Sequence, residues 1–313
     1  MSDSATRSER APVTRRAGSG SPHRRWTRDN VEIQVFRVLR WVVIAGLLVV
    51  TLFPFYYMLL LSVRSLDEVL QAPGALFVAP SELNFSAFVE VLTPEDSGGQ
   101  GFLRFMRNSA IVALGTVVLT LLVSLPGAYA VSRLRFFGRR QISVLFLAVY
   151  LFPGILVAVP LFVFFSRMGL RGELVGLLLV YVSQIVAVSI YMLRNYFDTI
   201  PVSLEEAAAI DGCSRLGIMR HISLPLAMPA IMANALFVFM IAWNEFLFAL
   251  LFLLEDRESW TVSLGLSQLS GSIEVPTTVL MAGSVIITLP IIIVFVATER
   301  LLVDGLTAGA EKG

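Results

Sequence analysis

Cysteine occurs once in this chain of 313 residues, at Cys213, so no disulfide can close within it. Histidine occurs twice, at His23 and His221, far apart and each beside an arginine, which gives no metal-ligand spacing. The sole lysine is Lys312, followed by Gly313, so a GK[ST] phosphate-binding loop cannot exist here. If ATP drives this protein, another chain binds it, and no cofactor or metal is expected. Charge is scarce too. Charged residues make up 15% of the chain, where an ordinary soluble domain has about a quarter. With 56% hydrophobic residues and a mean hydropathy of +0.79, the sequence reads as an integral membrane protein in contact with lipid. The net charge of +1 gives no footing for nucleic-acid binding.

What is abundant is apolar sequence in long runs. Residues 1–35 stand outside them; rich in Ser, Thr, Arg, Pro and Gly, they read as a disordered cytoplasmic tail. The first run, at roughly 39–63, is too long for a signal peptide and lacks a small-x-small cleavage site. A polar connection follows from Arg64 to Arg107, with a Gly/Pro/Asp-rich tip at 93–101 and some short interfacial helix. Five further runs lie at roughly 108–132, 142–166, 174–194, 226–254 and 278–299. Each can cross a hydrocarbon layer of about 30 Å, which needs about 20 helical residues. The expectation is an all-α, polytopic membrane protein with six transmembrane helices over 36–303 and a C-terminal cytoplasmic tail at 304–313. Pro126, Pro153, Pro160 and Pro290 interrupt runs, and each taken alone predicts a kink that neighbouring helices or a wet cavity can tolerate.

Arginine sets the orientation. With the N-terminus inside, cytoplasmic segments hold 18 of the 24 basic residues; the outer ones are Arg64, Arg104, Arg107, Arg167, Arg171 and Arg257. Both termini are therefore expected in the cytoplasm. So is the polar island between the fourth and fifth runs.

That island, Ser203 to Pro225 within an elbow at 200–225, reads as two short helices joined at a glycine. Ser203 is placed to N-cap the first, with Glu206 completing a capping box. Leu204, Ala207 and Ala208 share a face at i, i+3, i+4. Gly212 supplies a left-handed turn, Ser214 caps the second helix, and Pro225 stops it. Taken singly, these residues need do no more than cap and pack an amphipathic hairpin. As a set, Glu206-Ala207-Ala208, Gly212 and Ile222-x-Leu224-Pro225 resemble the EAA loop of importer-type ABC transporter permeases, with Asp211 before the glycine as in many sugar permeases. Cys213 stands where alanine is usual and Met219 where an aromatic is common, so the knob that enters the partner's cleft is expected to be softer. The resemblance implies that Glu206, Ala207, Ala208, Asp211, Gly212, Leu216 and Met219 couple the chain to an ATPase.

The fifth run carries Trp243-Asn244-Glu245 in an otherwise apolar stretch. Glu245 precedes Leu254 by nine residues, hence roughly 13 Å from the outer end, and ionisable groups that deep face a partner or a cavity. WNEFLFAL resembles the fifth span of carbohydrate-uptake permeases, and aromatic and amide groups suit a sugar, whose apolar ring face can stack on Trp while its hydroxyls exchange hydrogen bonds with Asn and Glu. The alternative is that these residues hold two permease chains together. Ser183 and Gln184 in the fourth run suit interhelical hydrogen bonds. The ending ERLLVDGLTAGAEKG resembles the GLTAGAVKG-like tail of the same permeases, with Glu311 in place of valine, and predicts an extended tail in a narrow interface.

The resemblance implies a type I ABC importer permease fold, without enzymatic chemistry of its own. It further implies a second homologous permease, two ATP-binding subunits, and an extracytoplasmic solute-binding protein that delivers a sugar. A glycerol-phosphate-type permease is the alternative within the family; no Arg or Lys lies in the core of the last five runs, which favours a neutral sugar. An ion-coupled secondary transporter could use Glu245, but the paired broken repeats of such folds are missing. The topology is testable. In a Cys213→Ala background, cysteines at Ser97 and Ser272 should react from outside with an impermeant thiol reagent, and one at Gly138 should not. Labelling of position 138 in intact cells would overturn the six-span arrangement.

Overall fold

The computed structural model describes residues 28–272 and 275–310, and among them every regular element is helical. The order is α1 (Arg28–Ser62), α2 (Leu66–Gln71), α3 (Ser86–Leu92), α4 (Phe102–Arg133), α5 (Arg139–Leu151), α6 (Gly154–Arg167), α7 (Leu174–Phe197) and α8 (Val202–Ile210). It continues through α9 (Arg215–Ile218), α10 (Leu224–Leu226), α11 (Met228–Asn244), α12 (Leu247–Leu253), α13 (Val262–Gly271) and α14 (Thr277–Ala310). Most of the expected N-terminal tail, with His23, lies outside the described residues. Helix α1 nonetheless begins at Arg28, inside the stretch expected to be tail.

Contacts divide the chain into residues 1–54 and 55–313. In the first unit the described helix is apolar on every side from Trp41 onward, with Val42, Val43, Leu47 and Leu48 all exposed, a surface suited to lipid. In the second, α4 packs along α7 and α11, and α11 along α14. Small residues permit the close approach: Ser109, Ala113, Thr116, Thr120, Ser124 and Ala128 of α4 are all buried. In hydrocarbon, tight packing of this kind replaces water exclusion as the force between helices. Large side chains fill the two ends. Phe102, Phe105, Tyr181, Phe239 and Trp243 belong to one buried cluster; Tyr129, Leu193, Phe197 and Ile231 belong to a second.

Among the described residues four helices, α1, α4, α7 and α14, are each long and apolar enough to cross a membrane unaided; helix 215–226 and α11, bent by 76° at their junction, make a fifth only if counted as one. The two remaining predicted spans are each divided. The run at 142–166 is α5 and α6, parted at Phe152-Pro153. Phe152 is extended, as a residue before proline prefers, and Pro153 has no N–H with which to continue the ladder. Pro126, Pro160 and Pro290 lie inside unbroken helices, so only Pro153 does more than kink. The run at 226–254 parts at Glu245-Phe246 into α11 and α12 without any proline. The expected extended C-terminal tail is also corrected: the backbone of α14 stays helical through Ala310, and 311–313 lie outside the described residues.

Charged groups sort to two ends. Arg104 pairs with Glu258 at 3.0 Å, Arg257 with Glu95 at 2.9 Å, and Arg171 with Glu255. All six belong to segments assigned to the outside. Asn108 donates to the carbonyls of Glu258 and Trp260, which seats the same loop on α4.

The close contacts give a stability test. A Cβ on Gly176 would lie 2.2 Å from the carbonyl oxygen of Leu170, whereas one on Gly271 would meet nothing within 4 Å. Gly176→Ala should destabilise the protein by roughly 1–3 kcal/mol, as overpacking does, and lower its thermal midpoint in detergent. Gly271→Ala should leave the midpoint in place.

Candidate functional site

The elbow begins with Pro201, not with a serine cap. Helix α8 starts at Val202 and has no side-chain cap, so Ser203 lies inside its first turn and the expected Ser203–Glu206 capping box does not form. Pro201 is itself the N-cap residue, with φ -57 and an extended ψ of 126, so it stands just outside the first turn and has no N–H in need of a partner. The predicted apolar face is corrected as well. Leu204 and Ala207 are exposed, while Glu205 and Ala208, at i and i+3, turn inward.

Gly212 behaves as predicted, with φ +85, and Ser214 accepts the Gly217 N–H at 3.2 Å to cap α9. A Cβ at Gly212 would meet open space, so only backbone strain opposes a side chain there. Beyond α9 the chain widens into a π-turn, Met219–Ser223, and passes straight through Pro225 to Leu226. Pro225 therefore does not stop the helix; the bend falls at Ala227. Glu206, Ala207, Asp211, Gly212 and Leu216 are each exposed, Leu216 by 69%. Met219, expected as an outward knob, packs half-buried against the chain's own second cluster. The large exposed apolar side chain that the motif did not flag is Ile210, 87% exposed.

Beside these exposed residues sits a carboxylate that sequence reasoning passed over. Glu205 Oε1 receives Arg133 Nε at 2.9 Å and the Ser223 hydroxyl at 2.9 Å, and Oε2 receives the Tyr129 hydroxyl at 3.3 Å. Arg133 also donates to the Ile200 carbonyl at 2.8 Å. The Glu205 and Arg133 side chains are only 10% and 9% exposed. Removing either would strand the other's charge, a loss of about 3–5 kcal/mol in comparable buried pairs. Glu205 and Glu206 are adjacent, so about 100° apart on a helix, and a helix lying on a bundle can turn one of them inward.

The second candidate cluster is at the α11–α12 break. Trp243 is buried, stacked on Phe239 with ring centroids 5.5 Å apart, and its indole N–H donates to the Ile287 carbonyl at 3.0 Å. Glu245 accepts the Phe248 N–H at 3.0 Å, the Ala249 N–H at 3.3 Å and the Tyr181 hydroxyl at 2.6 Å. Its own carbonyl accepts from Ser263 at 2.6 Å. The carboxylate thus caps α12, where free N–H groups and the helix dipole favour negative charge. Asn244 stays exposed, with its amide N–H on the Met240 carbonyl. Ser183 bonds its own helix at the Val180 carbonyl, and Gln184 lies beside Gly154 at the α5–α6 break.

Residues 124–307 match the family described as binding-protein-dependent transport system inner membrane component. The chain belongs to this family. The permease is 37% identical over 270 residues to the inner membrane ABC transporter permease protein YcjP of Escherichia coli (strain K12), covering 86% of this chain and 94% of that one. It is 36% identical over 266 residues to the trehalose/maltose transport system permease protein MalG of Thermococcus litoralis, covering 85% and 93%. Its fold resembles a chain in the crystal structure of a bacterial ABC transporter involved in the import of the acidic polysaccharide alginate, with a TM-score of 0.72, 26% identity, and coverage of 88% of the permease and 98% of that chain. The all-helical, multi-pass permease fold read from the sequence is thereby shown.

The α12 cap yields a prediction. Glu245→Ala should cost about 2–3 kcal/mol, a lost cap together with a charge-assisted bond. Glu245→Gln should cost less, since an amide oxygen can still cap. Thermal unfolding of the purified permease measures both, and an unchanged midpoint for Glu245→Ala would refute the capping role.

Proposed function

We propose that this permease is one membrane subunit of an ATP-driven sugar importer. It forms the translocation path with a second, similar permease, receives sugar from an extracytoplasmic binding protein, and couples to two ATP-binding subunits through its elbow. The observation that carries the reading is the exposure of Glu206, Ala207, Asp211 and Leu216 on an elbow whose ends are fixed by Pro201 and the bend at Ala227. A stiff, exposed elbow at the end of a bundle is what a partner needs to push against. Closure of the ATPase pair can shift the permease between states only if docking differs between them. Arginine asymmetry favours a cytoplasmic elbow and cytoplasmic termini.

Sugar is favoured over an anionic substrate because no Lys or Arg lies in the core of the last five apolar runs. The trehalose/maltose system to which one relative belongs points the same way. Of the three residues first assigned to the pathway, Asn244 keeps an accessible side chain, while Trp243 and Glu245 are committed to internal bonds. That commitment also weakens the case for Glu245 as an ion-coupling acid. We assign sugar contact to Asn244.

Gly212→Val tests the coupling. A branched side chain at left-handed φ costs roughly 1–2 kcal/mol, too little to unfold the bundle but enough to tilt α9. The variant should insert and assemble yet lose transport, with ATP hydrolysis no longer answering to loaded binding protein. Normal transport with normal stimulation would remove the elbow from the mechanism. Asn244→Ala should raise the sugar concentration for half-maximal uptake several-fold in an intact complex; dissociation of the permease pair with unaltered sugar dependence would assign the residue to assembly instead.

A further inference from the structure

The two adjacent acids of the elbow have unlike surroundings. Glu206 is exposed on the surface assigned to docking. Glu205 is enclosed by groups from three other parts of the chain: Tyr129 and Arg133 in the last turns of α4, Ser223 in the π-turn, and, through Arg133, the Ile200 carbonyl between α7 and α8. The joint is braced further. Ser132 donates to Asp198 at 2.6 Å, Arg194 lies 3.4 Å from Asp198, and Arg139 reaches back to the Ser132 carbonyl at 2.6 Å. Two membrane-crossing helices, α4 and α7, therefore end on the same polar knot that holds the elbow's first helix.

We propose that Glu205 and Arg133 are positioning residues, a pin that holds the elbow to the ends of α4 and α7 and passes its displacement to them, while Glu206 meets the partner. This rests on the coupling role proposed for the elbow. The physical reason is stiffness. A surface helix joined only through flexible links would turn under load and leave the bundle still. A carboxylate with three donors from two other elements cannot rotate without breaking charge-assisted bonds in a shielded site. Division of labour follows from geometry, because neighbouring helix residues point about 100° apart.

The lone Cys213, exposed at the elbow's turn, supplies a reporter. A nitroxide on Cys213 in the purified full-length permease should gain mobility in Glu205→Gln and in Arg133→Gln, and keep its wild-type spectrum in Glu206→Gln. In the complete transporter, Glu205→Gln should lower sugar uptake at least tenfold with the ATP-binding subunits still retained. Glu206→Gln should instead release those subunits at lower salt. Glu205→Asp, which keeps the charge, should restore more than half of the uptake, and a purely structural brace would not separate the Gln and Asp variants in that way. Should Glu205→Gln fail to fold, Ser223→Ala removes one of the three donors and should still raise label mobility measurably. An unchanged spectrum in the Glu205, Arg133 and Ser223 variants overturns the pin whatever Gly212→Val does. A freed label with wild-type uptake overturns the transmission, and loss of coupling in Gly212→Val would then still support the elbow as the docking element.

Discussion

Every backbone N–H and C=O that leaves a helix inside hydrocarbon must find another partner, because no water is there to supply one. This permease is shaped by how it meets that demand at two interruptions. At Phe152-Pro153 the missing donor of proline removes part of the problem. At Glu245-Phe246 a carboxylate meets the first N–H groups of α12, and the Ser263 hydroxyl meets the carbonyl left behind. The polar residues of the fifth span are thus the condition for a break, and the break turns α11 and α12 into separate short rods. Along α4 the helix runs unbroken for 32 residues even through Pro126.

The elbow obeys a related rule at the other end of the bundle. It is too short to be stable alone: α8 has nine residues and α9 four, well under the length at which isolated helices persist in water. Its shape is borrowed from the buried pair Arg133–Glu205 and from Ala208 and Ile218, which turn inward. The exposed surface is consequently free of structural duty, and charge there is available to a partner.

The broad architecture was legible because apolar runs report a chain's relation to lipid directly. Gly212 and Ser214 were legible for a local reason, since left-handed φ and a helix cap are properties of single residues. What escaped depends on tertiary partners. Glu205 looks like half of a solvated pair until Arg133, distant in sequence, is brought beside it. Ser203 has the chemistry of a cap, but Pro201 starts the helix two residues earlier. Trp243 has the chemistry of a sugar platform, yet Phe239 and the Ile287 carbonyl occupy its face and its N–H. The Glu245 break was invisible to hydropathy because the sequence on both sides is uniformly apolar.

The widened turn at Met219–Ser223 sets a phase. Five residues of ordinary α-helix advance about 140° beyond a full revolution, since each contributes 100°, which would put Ile218 and Ser223 on different sides. Both are buried, at 5% and 0% exposure. The π-turn holds an additional residue per revolution and brings the two back into line, so that Ser223 reaches Glu205 while Leu216 still faces outward. The number of residues between Gly212 and Pro225 is therefore a matter of angle as much as of reach. Shortening the segment by one would keep its composition and hydropathy, yet rotate everything upstream of Ser223 by about a quarter of a revolution relative to the bundle.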